Sequence, residues 1–377
     1  MNWKVPLVEI ELSDSDIESA LDVLRSEWLT MGPRTQELEA AFAAEVGAEH
    51  AVAVSSCSAA LHLACLAAGV GPGDEVIVPA MTFVATAHAA RHCGGEAVLA
   101  ESIGPLDPNV DPADVAERIT PHTKAIVVVH FCGYPADVEP LRALCEEHGL
   151  ALIEDCAQAD GGRALDGRAL GTLGAMGCFS FFSKTQLGVG EGGIVVTDDE
   201  QLAGRVRSLR SHAMTSVTWD RHRGHAETYD VTDIGFNYRI DEARAALALS
   251  RLERLRPGVE ALRGIARSYR EALADADGIE IAFDEEGVEV SGHFAFPVLV
   301  SDIEKRTAVR ARLAERGVQT TFYPALTQLT AYRPDSGDGA RPRAEGFAER
   351  HVALPLFPAL TAEQIDLVVT ELRDAVA

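Results

Sequence analysis

The sequence predicts an α/β protein: a mostly parallel, seven-stranded sheet with helices on both faces, followed by a smaller C-terminal α+β unit. Three observations predict it. From about residue 50, short β-branched runs alternate with amphipathic stretches, the pattern of βαβ units. The strand runs are continuously apolar, which fits a sheet buried on both faces. With 377 residues and 47% apolar content, the chain is long enough for one large core and a second, smaller one.

The elements follow in order. AVAVSS (51–56) leads into AALHLACLAAG, EVIVPA (75–80) into VATAHAARHCG, and AVLAES (97–102) into PADVAERI. KAIVVVHF (124–131) leads into VEPLRALCEEHG, and LALIEDCAQ (150–158) into a glycine-rich connection. GCFSFF (177–182) and GGIVVT (192–197) are joined by a loop, so they either pair locally or extend the sheet. ARAALALSRLERL (243–255) is an apolar-periodic helix that soon meets Pro257-Gly258, read as a hinge. That divides the chain into a large domain, 1–255, with an N-terminal arm, and a small domain, 256–377. The small domain holds a helix, strands IEIAF (279–283) and HFAFPVLV (293–300), the helix KRTAVRARLAERG and a strand VQTTFY (318–323). Its last helix opens on a capping box, Thr361 to Gln364. DEEGVE (284–289) reads as a solvated turn.

Bulk properties narrow the function. A formal charge of −25 opposes binding to a phosphate backbone, so nucleic acid is set aside. The seven cysteines are odd in number, form no CxxC pair and sit in apolar runs, which indicates reduced thiols and a cytoplasmic protein. The N-terminal residues carry no signal-peptide pattern, and no apolar run reaches membrane-spanning length. No membrane partner is expected.

Several residues carry chemistry at strand ends. Ser56, Cys57 and Ser58 stand where the first strand turns into a helix, which is either a phosphate-ready helix start or an ordinary serine cap. Phe83, after the second strand, is either core or an aromatic face for a flat ligand. Asp155 ends the fifth strand, where open α/β sheets bind ligands; it either meets a protonated ring nitrogen or caps and pairs within the sheet. GVGEGG (188–193) matches GxGxxG but precedes a strand, so a dinucleotide site is rejected in favour of a tight turn or close backbone approach. Trp219 to His225 is rich in histidine and arginine without metal-ligand spacing, so no metal is expected. His62 reads as a core histidine. A phosphate-ready turn, an aromatic, a strand-end aspartate and a later lysine, in that order, are the parts pyridoxal phosphate requires.

With SEWLTMGPRTQELEAAFA, AVAVSSCSAALHLACLAAGVGPGDEVIVPAMTFVATAHA, GLALIEDCAQADGG, GEGGIVVTDD and GFNYRIDEARAALALSRLERL, the sequence resembles the DegT/DnrJ/EryC1/StrS sugar aminotransferases, fold type I pyridoxal-phosphate proteins. The resemblance runs nearly end to end. It implies that Ser56, Cys57, Ser58 and Ser180 surround the cofactor phosphate and that Phe83 stacks on its ring. It further implies that Asp155 meets the ring nitrogen, that Gln158 meets the ring hydroxyl, and that Asn237 reaches the phosphate of a partner subunit in a homodimer with shared sites. The implied substrate is a small molecule, a keto sugar or keto-cyclitol, in bacterial secondary metabolism or surface-sugar biosynthesis.

Family members read FSFFSNKNL or FSFFSNKQL before GEGG. In that register the Schiff-base lysine position, five residues after Ser180, is Thr185, and Lys184 falls one residue early. A one-residue offset turns a side chain by roughly 180° in a strand or roughly 100° in a helix. Other departures cluster nearby: Cys57 within the usual SGT, Asp160 within AQAHG, Ala213 within SHGM, and Phe322 in place of the histidine of HYP. Three readings follow. Lys184 swings in and the protein is an aminotransferase; or pyridoxal or pyridoxamine phosphate is held without a covalent link, for dehydratase-like or other chemistry, with His88, Asp160 or Lys184 as acid–base candidates; or the pocket serves a binding or regulatory protein that uses no pyridoxal.

Overall fold

The structure is a computed structural model and describes residues 3–216, 219, 222–224, 227–333 and 340–377. The apolar runs become β1 (His50–Val54), β2 (Glu75–Pro79), β3 (Glu96–Ala100), β4 (Thr123–Val129), β5 (Ala151–Cys156), β6 (Met176–Ser180) and β7 (Gly193–Thr197). They form one sheet in the order β1-β7-β6-β5-β4-β2-β3. GCFSFF and GGIVVT do both things the sequence left open: β6 and β7 pair antiparallel, and together they bridge β5 to β1. Because β7 alone runs backwards, β1, β2, β5 and β6 all end on one edge, the edge where such sheets place ligands.

Side-chain alternation sends each strand to both faces. Val52, Val54, Val76 and Val78 meet α3 (Cys57–Ala67) and α4 (Val84–His92), with α7 (Glu200–Arg210) on the same side. Ala53, Ile77, Ile126 and Val128 face the layer that includes α2 (Pro33–Val46), α5 (Pro112–Arg118), α6 (Val138–His148) and α8 (Glu242–Leu252). Each fully buried valine or leucine here contributes about 1.5–3 kcal/mol of transfer free energy. Helix α1 (Asp14–Arg25) packs on α8. All seven cysteines are buried and free.

Three local readings change. Pro257-Gly258 is no break: both lie in the first turn of α9 (Leu255–Leu273), where the N–H that proline lacks would have no partner. Leu255 and Val259 of α9 enter the sheet core, whereas Leu262, Ile265 and Tyr269 enter the second core. DEEGVE is a short helix, α10 (Glu285–Val290), because Asp284 accepts the Gly287 N–H at 2.7 Å and Val288 is buried. VQTTFY makes only isolated bridges, Val318 to Val5 and Thr321 to Ala353. The Tyr323 N–H goes instead to His351 Nε2 at 3.0 Å, and Pro324 has none to offer.

The C-terminal sheet is antiparallel, in the order β10 (His351–Leu354), β9 (Phe296–Leu299), β8 (Glu280–Ile281). It packs with α11 (Ile303–Glu315), α12 (Pro342–Arg350) and α13 (Ala362–Val376). The predicted capping box opens α13: Thr361 N–H donates to Gln364 Oε1 at 3.0 Å, and Gln364 N–H to Thr361 Oγ1 at 3.3 Å.

Candidate active site

The four strand ends converge on a cavity of about 700 Å³. Ser56 caps α3, its Oγ accepting the Ala59 N–H at 3.1 Å. Ser180 Oγ accepts the Phe182 N–H at 3.2 Å. Each bond uses a lone pair and leaves the hydroxyl proton for a ligand. Ser58 lines the same cavity. The first N–H groups of α3, those of Cys57 and Ser58, have no intrahelical acceptor. The Cys57 thiol turns inward to Cys178 O at 3.7 Å, and burial holds its pKa well above the ordinary value, so its contribution here is its backbone. A Cβ on Gly193 would stand 2.7 Å from Cys57 N. The close approach allowed by GEGG is therefore to the α3 helix start.

Asp155, 4% exposed, accepts Thr86 Oγ1–H at 2.7 Å and the Ala157 N–H at 3.1 Å. Thr86 spends its proton on Asp155 and so accepts from Thr82 Oγ1, also at 2.7 Å. Burial raises the Asp155 pKa, while Thr86, Ala157 and nearby His130 favour the charged form. Gln158 Oε1 accepts the Cys132 N–H at 2.6 Å, which leaves its amide N–H groups as donors. Phe83 is 68% exposed and lines the cavity, so it is not a core residue.

The loop after β6 supplies the last wall. Thr185, 8% exposed, donates its hydroxyl to Ser180 O at 2.8 Å, with Phe182 O at 3.0 Å. Lys184 is exposed, lines this cavity too, and has no hydrogen-bond or ion-pair partner among the described residues. Asp160 lies beneath Thr185, fully buried, with no hydrogen-bond partner on either oxygen among the described residues. Burial pushes its pKa well above the carboxylate range; the nearby Leu187 N–H and Thr185 hydroxyl only moderate this.

Two candidates stand apart. His88 does not line the cavity; one turn beyond the start of α4, its ring lies 5.7 Å from His92 and from Tyr332. Asn237 is exposed and lies outside the cavity of its own chain. His62 is buried, its Nδ1 3.1 Å from Tyr238 Oη. In the histidine–arginine stretch, Trp219 packs on Trp28 at 4.6 Å, while Asp220, Arg221 and His225 lie outside the described residues. His130, Glu154 and Cys156 bring ligand-type atoms within 4.8 Å of one another. Glu154 already accepts four donors: the N–H groups of Gly171, Leu173 and Gly174, and His130 Nε2. His130 Nδ1 accepts the Ala136 N–H, so these groups are consumed by the fold. Sequence reasoning missed Thr86; its signal is its place one turn after Phe83, facing the end of β5.

Residues 11–373 match the model of the DegT/DnrJ/EryC1/StrS aminotransferase family. The chain belongs to that family. The spore coat polysaccharide biosynthesis protein SpsC of Bacillus subtilis (strain 168) is 34% identical over 385 residues, covering 99% of this chain and 96% of the relative. The crystal structure of the aminotransferase TlmJ from Streptoalloteichus hindustanus superposes with a TM-score of 0.89 at 34% identity, covering 100% of this chain and 99% of that one. DesV of S. venezuelae gives a TM-score of 0.89 at 34% identity, with 98% of each chain covered. Membership makes the chain an aminotransferase-family enzyme and implies pyridoxal or pyridoxamine phosphate as cofactor.

Proposed function

We propose that this enzyme acts on a keto sugar or keto-cyclitol in a bacterial biosynthetic pathway and holds pyridoxal or pyridoxamine phosphate without a covalent link. The observation that carries the reading is the loop after β6. Thr185, in the register of the family's lysine, is pinned into the cavity wall by two main-chain carbonyls, and the adjacent Lys184 is exposed at the cavity rim. A threonine hydroxyl forms no imine with an aldehyde.

The rest of the cavity fits the cofactor by its donor set. Ser56, Ser58, Ser180 and the start of α3 offer O–H and N–H donors to a phosphate. Phe83 offers a ring face, the Gln158 amide a donor to the ring hydroxyl, and Asp155 a carboxylate to a ring N–H. The cofactor, when bound, supplies an electron sink for a substrate carbon that loses a proton. Asp155 serves that sink by holding a proton on the ring nitrogen. With no lysine at 185, the substrate proton must be moved by another group, and Lys184 at the rim is the nearest cation. The proposal includes a cytoplasmic homodimer in which exposed Asn237 reaches the partner's phosphate, and a division near α9 into the two domains read from the sequence.

A second reading rests on Lys184 lining the cavity unpaired: the loop rearranges and Lys184 bonds the cofactor, giving an ordinary aminotransferase. Borohydride reduction of the protein mixed with pyridoxal phosphate, followed by peptide mass mapping, separates the two. The expected result is saturable binding with no pyridoxyl lysine in the wild type, and an adduct at position 185 in Thr185→Lys. An adduct on Lys184 in the wild type sinks the first reading and establishes the second.

A further inference from the structure

The loop after β6 fixes the hydrogen-bond polarity of its threonine. Thr185 has one hydroxyl proton, and two backbone carbonyls compete for it, Ser180 O at 2.8 Å and Phe182 O at 3.0 Å. The loop itself is held: the Thr185 N–H donates to Phe182 O at 2.9 Å and the Gly188 N–H to Thr185 O at 3.0 Å. The hydroxyl is therefore not free to turn and donate toward the cavity. A hydroxyl oxygen that has given its proton away presents only lone pairs.

Among the described residues, Asp160 makes no hydrogen bond that competes for this proton. It is fully buried beside Thr185, and neither of its oxygens has a partner among the described residues. The Thr185 proton therefore stays with the two backbone carbonyls and is not drawn off by Asp160. With its proton spent on the carbonyls, the hydroxyl oxygen keeps its lone pairs for the cavity that Thr185 lines.

We infer that this site selects the amine form of the cofactor, pyridoxamine phosphate, over the aldehyde form, because Thr185 Oγ1 offers that end of the cavity an acceptor and no donor. The inference rests on the proposed function for one point: that the reactive end of the cofactor lies at position 185. There, an amine donates N–H to Thr185 Oγ1, while an aldehyde oxygen would face another lone pair. The phosphate and ring contacts are common to both forms and cancel from the comparison.

The test is equilibrium titration of cofactor-free, full-length protein with pyridoxamine phosphate and, separately, with pyridoxal phosphate, read by calorimetry. A Lys184→Ala background removes imine formation at the cavity rim. Pyridoxamine phosphate is expected to bind about tenfold or more tightly than pyridoxal phosphate, the worth of one hydrogen bond to an amine against an unmet acceptor. Thr185→Ser should keep the ratio. Thr185→Val, which has the same shape without the oxygen, should bring it to within about threefold while circular dichroism confirms the fold. Equal or tighter binding of pyridoxal phosphate, or a ratio that survives in Thr185→Val, overturns the inference and leaves the proposed function standing. Failure of both cofactors to bind overturns the proposed function and the inference with it.

Discussion

The end of β5 and the underside of the loop after β6 treat buried acids in opposite ways. At the end of β5, Glu154 accepts four donors and Asp155 two. Under the loop after β6, Asp160 is as deeply buried as Glu154 and has no partner on either oxygen among the described residues. Three carboxyls within seven positions of chain thus meet three different hydrogen-bond environments. Burial alone always disfavours the charged form; what separates them is how many N–H and O–H groups the backbone aims at each. The strand-end region surrounds its carboxyls with donors, and the loop region leaves its carboxyl without them.

Glu154→Ala should break that contrast hardest. It strands the Gly171, Leu173 and Gly174 N–H groups and His130 together in a dry site, and losses of this kind cost about 3–5 kcal/mol. Urea unfolding measures it. A loss under about 1 kcal/mol would show that those donors find other partners, and that Glu154 is no better placed than Asp160.

Asp160→Asn should act in the opposite direction, and only as the pH rises. The folded-state pKa of Asp160 is raised above its unfolded value, so the native state binds the proton more tightly than the unfolded state does. Stability therefore falls with rising pH from about 4 up to the folded pKa, by about 1.4 kcal/mol per pH unit. Asparagine has no proton to lose and escapes that slope. Among the described residues no charged side chain acts on Asp160; the titratable group that faces it is the Cys57 thiol, whose pKa burial raises. Denaturation of both proteins at a series of pH values above about 4 should show the variant gaining on the wild type until the folded-state pKa is passed. Parallel curves would mean that Asp160 is ionised at neutral pH and finds donors in solution.

The same contrast explains what was legible in the sequence. Ser56, Phe83, Asp155 and Ser180 were readable because each stands at or just beyond the end of a largely apolar strand run, and the end of a parallel strand fixes where a residue sits. Thr86 was not, since its bond to Asp155 depends on how the first turn of α4 crosses the end of β5. His88 was over-read for the same reason: one turn farther along, the helix aims it at His92 and Tyr332. Asp160 was visible as a departure from AQAHG, but its isolation depends on Thr185 and Leu187, which arrive from a distant loop. In the fold, the buried sheet was plain, while the C-terminal unit was not. There β10 is a four-residue run directly after a helix, and 318–323 has the composition of a strand but spends its backbone on a side chain and a proline.

The smallest effect sharpens the phosphate end of the comparison. Ser56 has two roles there, capping α3 through its oxygen and keeping a proton for an anion. Glycine replaces serine at a cap for only a few tenths of a kcal/mol, whereas alanine costs about 1 kcal/mol. Ser56→Ala should therefore lower cofactor-free stability by about 1 kcal/mol, and Ser56→Gly by much less. Both variants should lose the same share of the stabilisation that inorganic phosphate confers, because both lack the hydroxyl donor. If Ser56→Gly keeps the full response to phosphate, the hydroxyl serves only the helix, and the anion is held by the α3 N–H groups and Ser180.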